Sequence, residues 1–171
     1  MVQKYIERPL LYCGRKFDLR HYALVRCSNG QIKGYWYREG YVRTASQEYS
    51  LKHNSPGLHL TNDAVQKQLP NYGKHEQGNK VTYSDLAVYL KKLHPNHDFW
   101  EEIYPQMKKL TTEAMRAGAS RMDPLRRENF ELLGLDFMVD EQWKVWLIEV
   151  NTNSCLETSC LLLAKLAPPL I

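Results

Sequence analysis

The sequence predicts an α+β domain, an antiparallel β-sheet with flanking helices, on three observations. The N-terminal third reads as strands around an Asn29-Gly30 turn. The middle carries apolar residues at helical spacing, and the C-terminal third holds a second hairpin. No internal repeat, low-complexity tract or linker divides the 171 residues, a length that supports one ordinary core.

Composition narrows the class. With 43% hydrophobic and 25% charged residues the chain is globular rather than disordered. A net charge of +4 and a pI near 8.8 are too mild to mark a nucleic-acid binder, so no nucleic-acid partner is expected, while an acidic protein partner is tolerated. Cys13, Cys27, Cys155 and Cys160 form no CxxC pair and no zinc-ligand spacing, which makes reduced thiols in a cytosolic protein the default. No apolar run approaches the roughly 20 residues that cross a bilayer. The longest candidate, Leu161 to Leu166, is short and carries Lys165, so a soluble protein without membrane insertion is expected. Structure that begins at once after Met1 and an apolar Ala-Pro-Pro-Leu-Ile171 ending read as a piece of something larger.

The elements follow in order. Val2 to Glu7 reads as a strand. Phe17 to Arg26 alternates well enough for another, Asn29-Gly30 turns the chain, and Ile32 to Tyr37 is its aromatic-rich partner. From Thr44 to Thr82 the text is polar, with one short helix around Asp63 to Gln68. A connection this long inside a compact domain is functional or mobile. Thr82-Tyr-Ser-Asp85 is a capping box that opens a helix through Leu93, where His94-Pro95 stops it. Ile103, Met107, Leu110 and Ala114 predict a longer helix over Asp98 to Ala117, with Pro105 near its first turns or at a kink. Phe130 to Asp140 and Val145 to Val150 form the C-terminal hairpin, and Leu156 to Ala167 a last helix stopped by Pro168-Pro169.

That hairpin carries the chemistry. If its loop is the four residues Glu141 to Lys144, Asp136 stands opposite Glu149 and Asn151 lies two residues further on the same face. Two carboxylates directly across a ladder repel unless one is protonated or a cation lies between them, so this register argues for a counter-ion. Oxygen-only ligands suit Mg²⁺. A five-residue loop would instead put Asp136 and Glu149 on opposite faces.

Lys16, Asp18 and Arg20 project from one face of a strand whose other face, Phe17 and Leu19, is apolar. Such a face is a solvated ladder or the polar wall of a cleft, and spacing alone favours the first. Arg38 and Arg43 could hold a carboxylate in bidentate fashion or lie on the surface. His59-Leu-Thr-Asn62 offers groups suited to phosphate or Mg²⁺, yet Thr-Asn before Asp63 is also an ordinary helix N-terminus. The histidines His53, His59, His75, His94 and His97 do not cluster at metal spacing and read as polar loop residues. There is no GxxxxGK[ST], GxGxxG or GxSxG, so any ATP site must be built from strands with scattered lysines and carboxylates.

Six blocks now stand in order: Gln3-Lys-Tyr-Ile-Glu-Arg-Pro-Leu-Leu11, Gly14-Arg-Lys-Phe-Asp-Leu-Arg20, Tyr37-Arg-Glu-Gly-Tyr-Val-Arg-Thr-Ala-Ser46, His59-Leu-Thr-Asn62, Asp136-Phe-Met and Trp146-Leu-Ile-Glu-Val-Asn151. Together they resemble the tubulin-tyrosine ligase family. The resemblance implies the C-terminal portion of an ATP-grasp-like domain over residues 1–171, with the N-terminal part of the family fold and its phosphate-gripping lysines absent. It implies a ligase that uses ATP and Mg²⁺ to activate a carboxylate as an acyl phosphate, which the amine of a free amino acid attacks. Tubulin or microtubules are the implied partner, in a cytoplasmic, cytoskeletal setting with cilia one option. Gln3, Lys4, Tyr5 and Ile6 match the strand that receives adenine, and Lys16, Asp18, Thr61 and Asn62 match further nucleotide contacts. Arg43 matches the arginine that grips the amino-acid carboxylate, with Arg20 a second candidate. Asp136, Glu149 and Asn151 match the metal ligands, which makes Glu149 and Arg43 the residues catalysis depends on. Tyrosine, glutamate and glycine ligases share these blocks, so the amino acid stays open. The alternative is a truncated, inactive relative that acts as a tubulin-binding module.

Overall fold

The computed structural model describes residues 2–119, 121–122, 128–152 and 154–168. Its centre is an antiparallel sheet. After the two-residue β1 (Leu11–Tyr12) come β2 (Arg15–Ser28) and β3 (Gln31–Glu48), joined at Asn29-Gly30, where both residues take the positive φ that a tight hairpin turn needs. Short helices α1 (Pro56–His59) and α2 (Asp63–Gln66) precede β4 (Lys80–Thr82), then α3 (Tyr83–Leu93) and α4 (Tyr104–Ala119). Strands β5 (Asn129–Val139) and β6 (Val145–Asn151) and a short α5 (Leu161–Leu166) follow. The strand order is β4-β3-β2-β5-β6, with β1 paired to β2. Sequence order and spatial order therefore differ: β5 lies against β2, which places both hairpins side by side.

One sheet face is apolar. Phe17, Leu19, Ala23, Val42, Leu133, Leu135, Phe137 and Val139 pack against Leu86 and Leu90 of α3 and Met107 of α4. The Thr82 hydroxyl caps α3 by accepting from the Asp85 amide, as the capping box predicts. The longer helix begins differently from expectation. Asp98 caps a five-residue π turn, Phe99–Ile103, and α4 continues directly from it with Pro105 as its second residue.

Several sequence expectations are corrected. Val2 to Glu7 forms no strand; an isolated bridge of Pro9 to Asp140 follows it, ahead of β1. The polar connection from Thr44 is more ordered than expected, because β3 runs to Glu48, and α1 and β4 lie within the span. The last helix covers Leu161–Leu166 rather than Leu156 to Ala167. The face of Lys16, Asp18 and Arg20 is not a solvated ladder: all three are buried.

The C-terminal hairpin has the five-residue loop, with Val139 opposite Val145 and Phe137 opposite Leu147. Taken alone, that register would turn Glu149 away from Asp136. A bulge at Ile148 inserts one unpaired residue and restores the pairing of Asp136 with Glu149 and of Gly134 with Asn151. The four-residue loop is therefore wrong, and the shared face it was meant to produce is present for another reason. Among the described residues no helix is long and apolar enough to cross a membrane.

Candidate functional site

The second sheet face is charged, and strand register fixes who meets whom. Asp18 on β2 pairs with Arg43 on β3, Arg20 on β2 pairs with Asp136 on β5, and Asp136 pairs in turn with Glu149 on β6. Arg43 donates to both Asp18 oxygens at 2.6 and 2.9 Å and lies 2.9 Å from Asp136 Oδ2. Arg20 donates to the two Asp136 oxygens at 2.5 and 3.1 Å, and the Thr61 hydroxyl donates to Asp18. These four charged residues are no more than 7% exposed. Two guanidiniums and two carboxylates balance to zero, which is what allows such a cluster to be buried.

The acid–base state follows from this packing. Burial works to raise the Asp136 pKa, but Arg43 and Arg20 outweigh it and hold the carboxyl below the ordinary range. Burial works to lower the Arg43 pKa, and Asp18 and Asp136 push it up instead. The counter-charges that two facing carboxylates demand are thus supplied to Asp136 by the protein's own arginines.

Glu149 is in the opposite condition. It is exposed, and its carboxylate accepts from the Asn151 side-chain amide at 3.1 Å. Asp136, Glu149 and Asn151 present two carboxylates and an amide on one face, a hard-oxygen set whose chemistry fits Mg²⁺. A cation there would share Asp136 with both arginines. Among the described residues no group of three or more His, Cys, Asp or Glu side chains could hold a metal.

Beside this network lies a cavity of about 700 Å³, lined by Gln3 to Arg8, Lys16, His59, Leu60, Met138, Asp140 to Gln142 and Trp146 to Ile148. Five of the expected nucleotide residues, Gln3, Lys4, Tyr5, Ile6 and Lys16, therefore share one wall. Asp18 and Thr61 belong to the charged network, one same-face step along β2 from Lys16. Asn62 accepts from the Ala64 amide and caps α2, the ordinary helix N-terminus its sequence allowed. Lys16 donates to the Tyr5 hydroxyl at 3.0 Å and to the His59 carbonyl at 2.8 Å. Burial lowers its pKa to about 8, against the pull of Asp18.

Several residues in and around the site have no role assigned by the sequence. Met138 was within reach, because it lies two residues from Asp136 on the same strand face. Ile148 was not, since only the bulge turns it toward the cavity. Lys80, opposite Arg43 and bonded to Asp63 at 2.5 Å, depends on how β4 returns to β3, for which the sequence carries no local signal. His21 was also unmarked. It is fully buried, stacked 3.5 Å from Trp36, and burial lowers its pKa to about 3, so it packs as a neutral ring.

Comparison with known proteins shows the family. The sequence profile of the tubulin-tyrosine ligase family matches residues 1–171. The chain is 40% identical to "Tubulin glycylase 3A" of Drosophila melanogaster over 98% of its own length and 17% of the relative's. It is 36% identical to "Protein monoglycylase TTLL8" of Homo sapiens, covering 97% of the chain and 20% of the relative. It is 31% identical to "Inactive polyglycylase TTLL10" of Homo sapiens, covering 100% and 26%. In eight of the curated relatives it matches, the chain spans between 13% and 28% of their length.

Proposed function

The chain belongs to the tubulin-tyrosine ligase family, and from that premise we propose that it supplies nucleotide-, metal- and substrate-binding residues of an ATP-grasp-like ligase that joins glycine to a carboxylate of tubulin. The choice of glycine is supported by the glycylase names of the relatives. A cytoplasmic, microtubule-associated setting goes with that substrate. The observation that carries the reading is the adjacency of the cavity, with Lys16 in its wall, to the buried network of Asp18, Arg43, Asp136 and Arg20.

Each residue then has a task. Gln3 to Ile6 and the apolar side chains of Met138, Leu147 and Ile148 enclose the base, and the Lys16 ammonium meets phosphate. Asp136, Glu149 and Asn151 would hold Mg²⁺, which when bound neutralises phosphate charge. Arg43, with Arg20 beside it, binds the glycine carboxylate through the planar fork that now engages Asp18 and Asp136. The proposed reaction activates the tubulin carboxylate as an acyl phosphate with ADP leaving. The glycine amine then attacks the acyl carbon, and phosphate departs.

The test is ATP-dependent incorporation of labelled glycine, glutamate and tyrosine into tubulin by the protein that carries these 171 residues. Glycine incorporation is expected. Incorporation of glutamate or tyrosine instead would overturn the choice of amino acid. Tubulin binding with no incorporation of any of the three would overturn the ligase reading.

A further inference from the structure

His59 belongs to a block the sequence singled out, yet the roles above use only its neighbours Thr61 and Asn62. Its ring lies at the cavity wall with two partners. Nε2 is 2.7 Å from the His53 carbonyl oxygen, and Nδ1 is 2.7 Å from the Tyr5 hydroxyl. A carbonyl can only accept, so Nε2 carries the proton. In the neutral ring Nδ1 is then an acceptor, and the Tyr5 hydroxyl must donate to it. Having donated, the phenol oxygen is left to accept, and it accepts from the Lys16 ammonium at 3.0 Å. Proton bookkeeping gives the chain one direction: Lys16 to Tyr5 to His59 to the backbone at residue 53. The reverse arrangement would need a charged imidazole and a charged ammonium both donating to one phenol oxygen, bringing two positive charges together.

We infer that His59 is a positioning residue for Lys16, acting through Tyr5, and that it sets how the Lys16 ammonium meets the phosphates of a nucleotide in the adjoining cavity. The inference rests on the proposed nucleotide site. His59 holds the lysine twice, since its own carbonyl accepts from Lys16 at 2.8 Å. Those two bonds use two of the three ammonium donors and leave the third for a ligand. The ammonium also lies 4.5 Å from the centre of the Tyr5 ring, so its position follows wherever that ring is held. Tyr5 itself lies in a segment without regular secondary structure. The edge-on contact of Tyr49 with His59 and the bond from the Tyr49 hydroxyl to the Glu7 carbonyl tie that segment to the same corner.

Binding calorimetry with ATP and with adenosine tests this, because adenosine lacks the phosphates that Lys16 would meet. His59→Phe removes the acceptor while keeping an aromatic ring. It should weaken ATP by about 10-fold, the scale of one lost hydrogen bond near a charge, and leave adenosine within about 2-fold. His59→Asn keeps an acceptor near the Nδ1 position and should return ATP affinity to within about 3-fold of the unsubstituted protein. Tyr5→Phe should weaken ATP to the same extent as His59→Phe, and the double variant should bind ATP no worse than either, since both cut one chain. If His59→Phe does not fold, His59→Leu removes the same acceptor and carries the same ATP-against-adenosine comparison. Equal losses for ATP and adenosine, additive losses in the double variant, or unchanged ATP affinity in His59→Phe would each overturn the inference while leaving the nucleotide site standing. Failure of the unsubstituted protein to bind either probe would overturn both.

Discussion

The two faces of β2 are buried to the same degree by opposite means. Phe17 and Leu19 turn toward α3 and α4 and need only shape and apolar surface; Lys16, Asp18 and Arg20 turn the other way and need partners. An apolar face tolerates imprecision at a cost of a few tenths of a kcal/mol per contact, whereas a buried charge that loses its partner is left with its whole desolvation penalty. The charged face is therefore held together by completeness. Among the described residues no buried side-chain nitrogen or oxygen lacks a hydrogen-bond partner. Glu149, across the ladder from Asp136, escapes this condition by being exposed, which leaves it available for a ligand.

Two neighbours on β5 separate the two kinds of burial. Asp136→Ala should destabilise the fold by about 3–5 kcal/mol by stranding Arg20 and taking one of two carboxylate partners from Arg43, and Phe137→Ala on the other face should cost a similar amount through a cavity. Urea denaturation of the two variants measures both. A loss below about 1 kcal/mol for Asp136→Ala would mean that the network is not what holds that face.

Glu149→Gln isolates function from folding. Stability should stay within about 0.5 kcal/mol, because the residue is exposed, while ligation in the protein carrying this chain should fall by about 10² to 10³. Full turnover in that variant would remove Glu149 from the mechanism.

Gly40→Ala probes the place where the two faces meet. A Cβ at Gly40 would lie 2.5 Å from the Arg20 carbonyl oxygen and 2.5 Å from the Tyr83 hydroxyl, which donates to that same carbonyl at 3.0 Å. The backbone has no room to give, so a loss of about 1–3 kcal/mol in a thermal melt is expected. A neutral effect would show that β3 can shift without disturbing Arg20.

A further test concerns Lys16, whose folded pKa lies near 8 against an ordinary 10.5. Between those values the unfolded chain binds more protons than the folded one, so stability should rise as pH climbs from about 8 toward 10.5, where burial no longer opposes a charge. Lys16→Met should flatten that rise, as read from denaturation midpoints across the interval. An unchanged slope would assign the rise to another group.

Several features follow from local chemistry alone. The Asn29-Gly30 turn, the Thr82 cap and the alternation of β2 each depend on residues a few positions apart, and each stands where the sequence puts it. Alternation also fixed that Lys16, Asp18 and Arg20 share a face. It could not fix whether that face is wet, because burial depends on packing with segments far along the chain: Thr61 bonds to Asp18, and α5 helps bury Tyr22 and Tyr41 alongside. The pairing of Asp136 with Glu149 shows the same limit. The turn alone would have placed them on opposite faces, and one unpaired residue at Ile148 reversed that outcome. A bulge reverses every facing beyond it and leaves the composition of the strand untouched, so its position is decided by which side chains the tertiary packing can accept on each face.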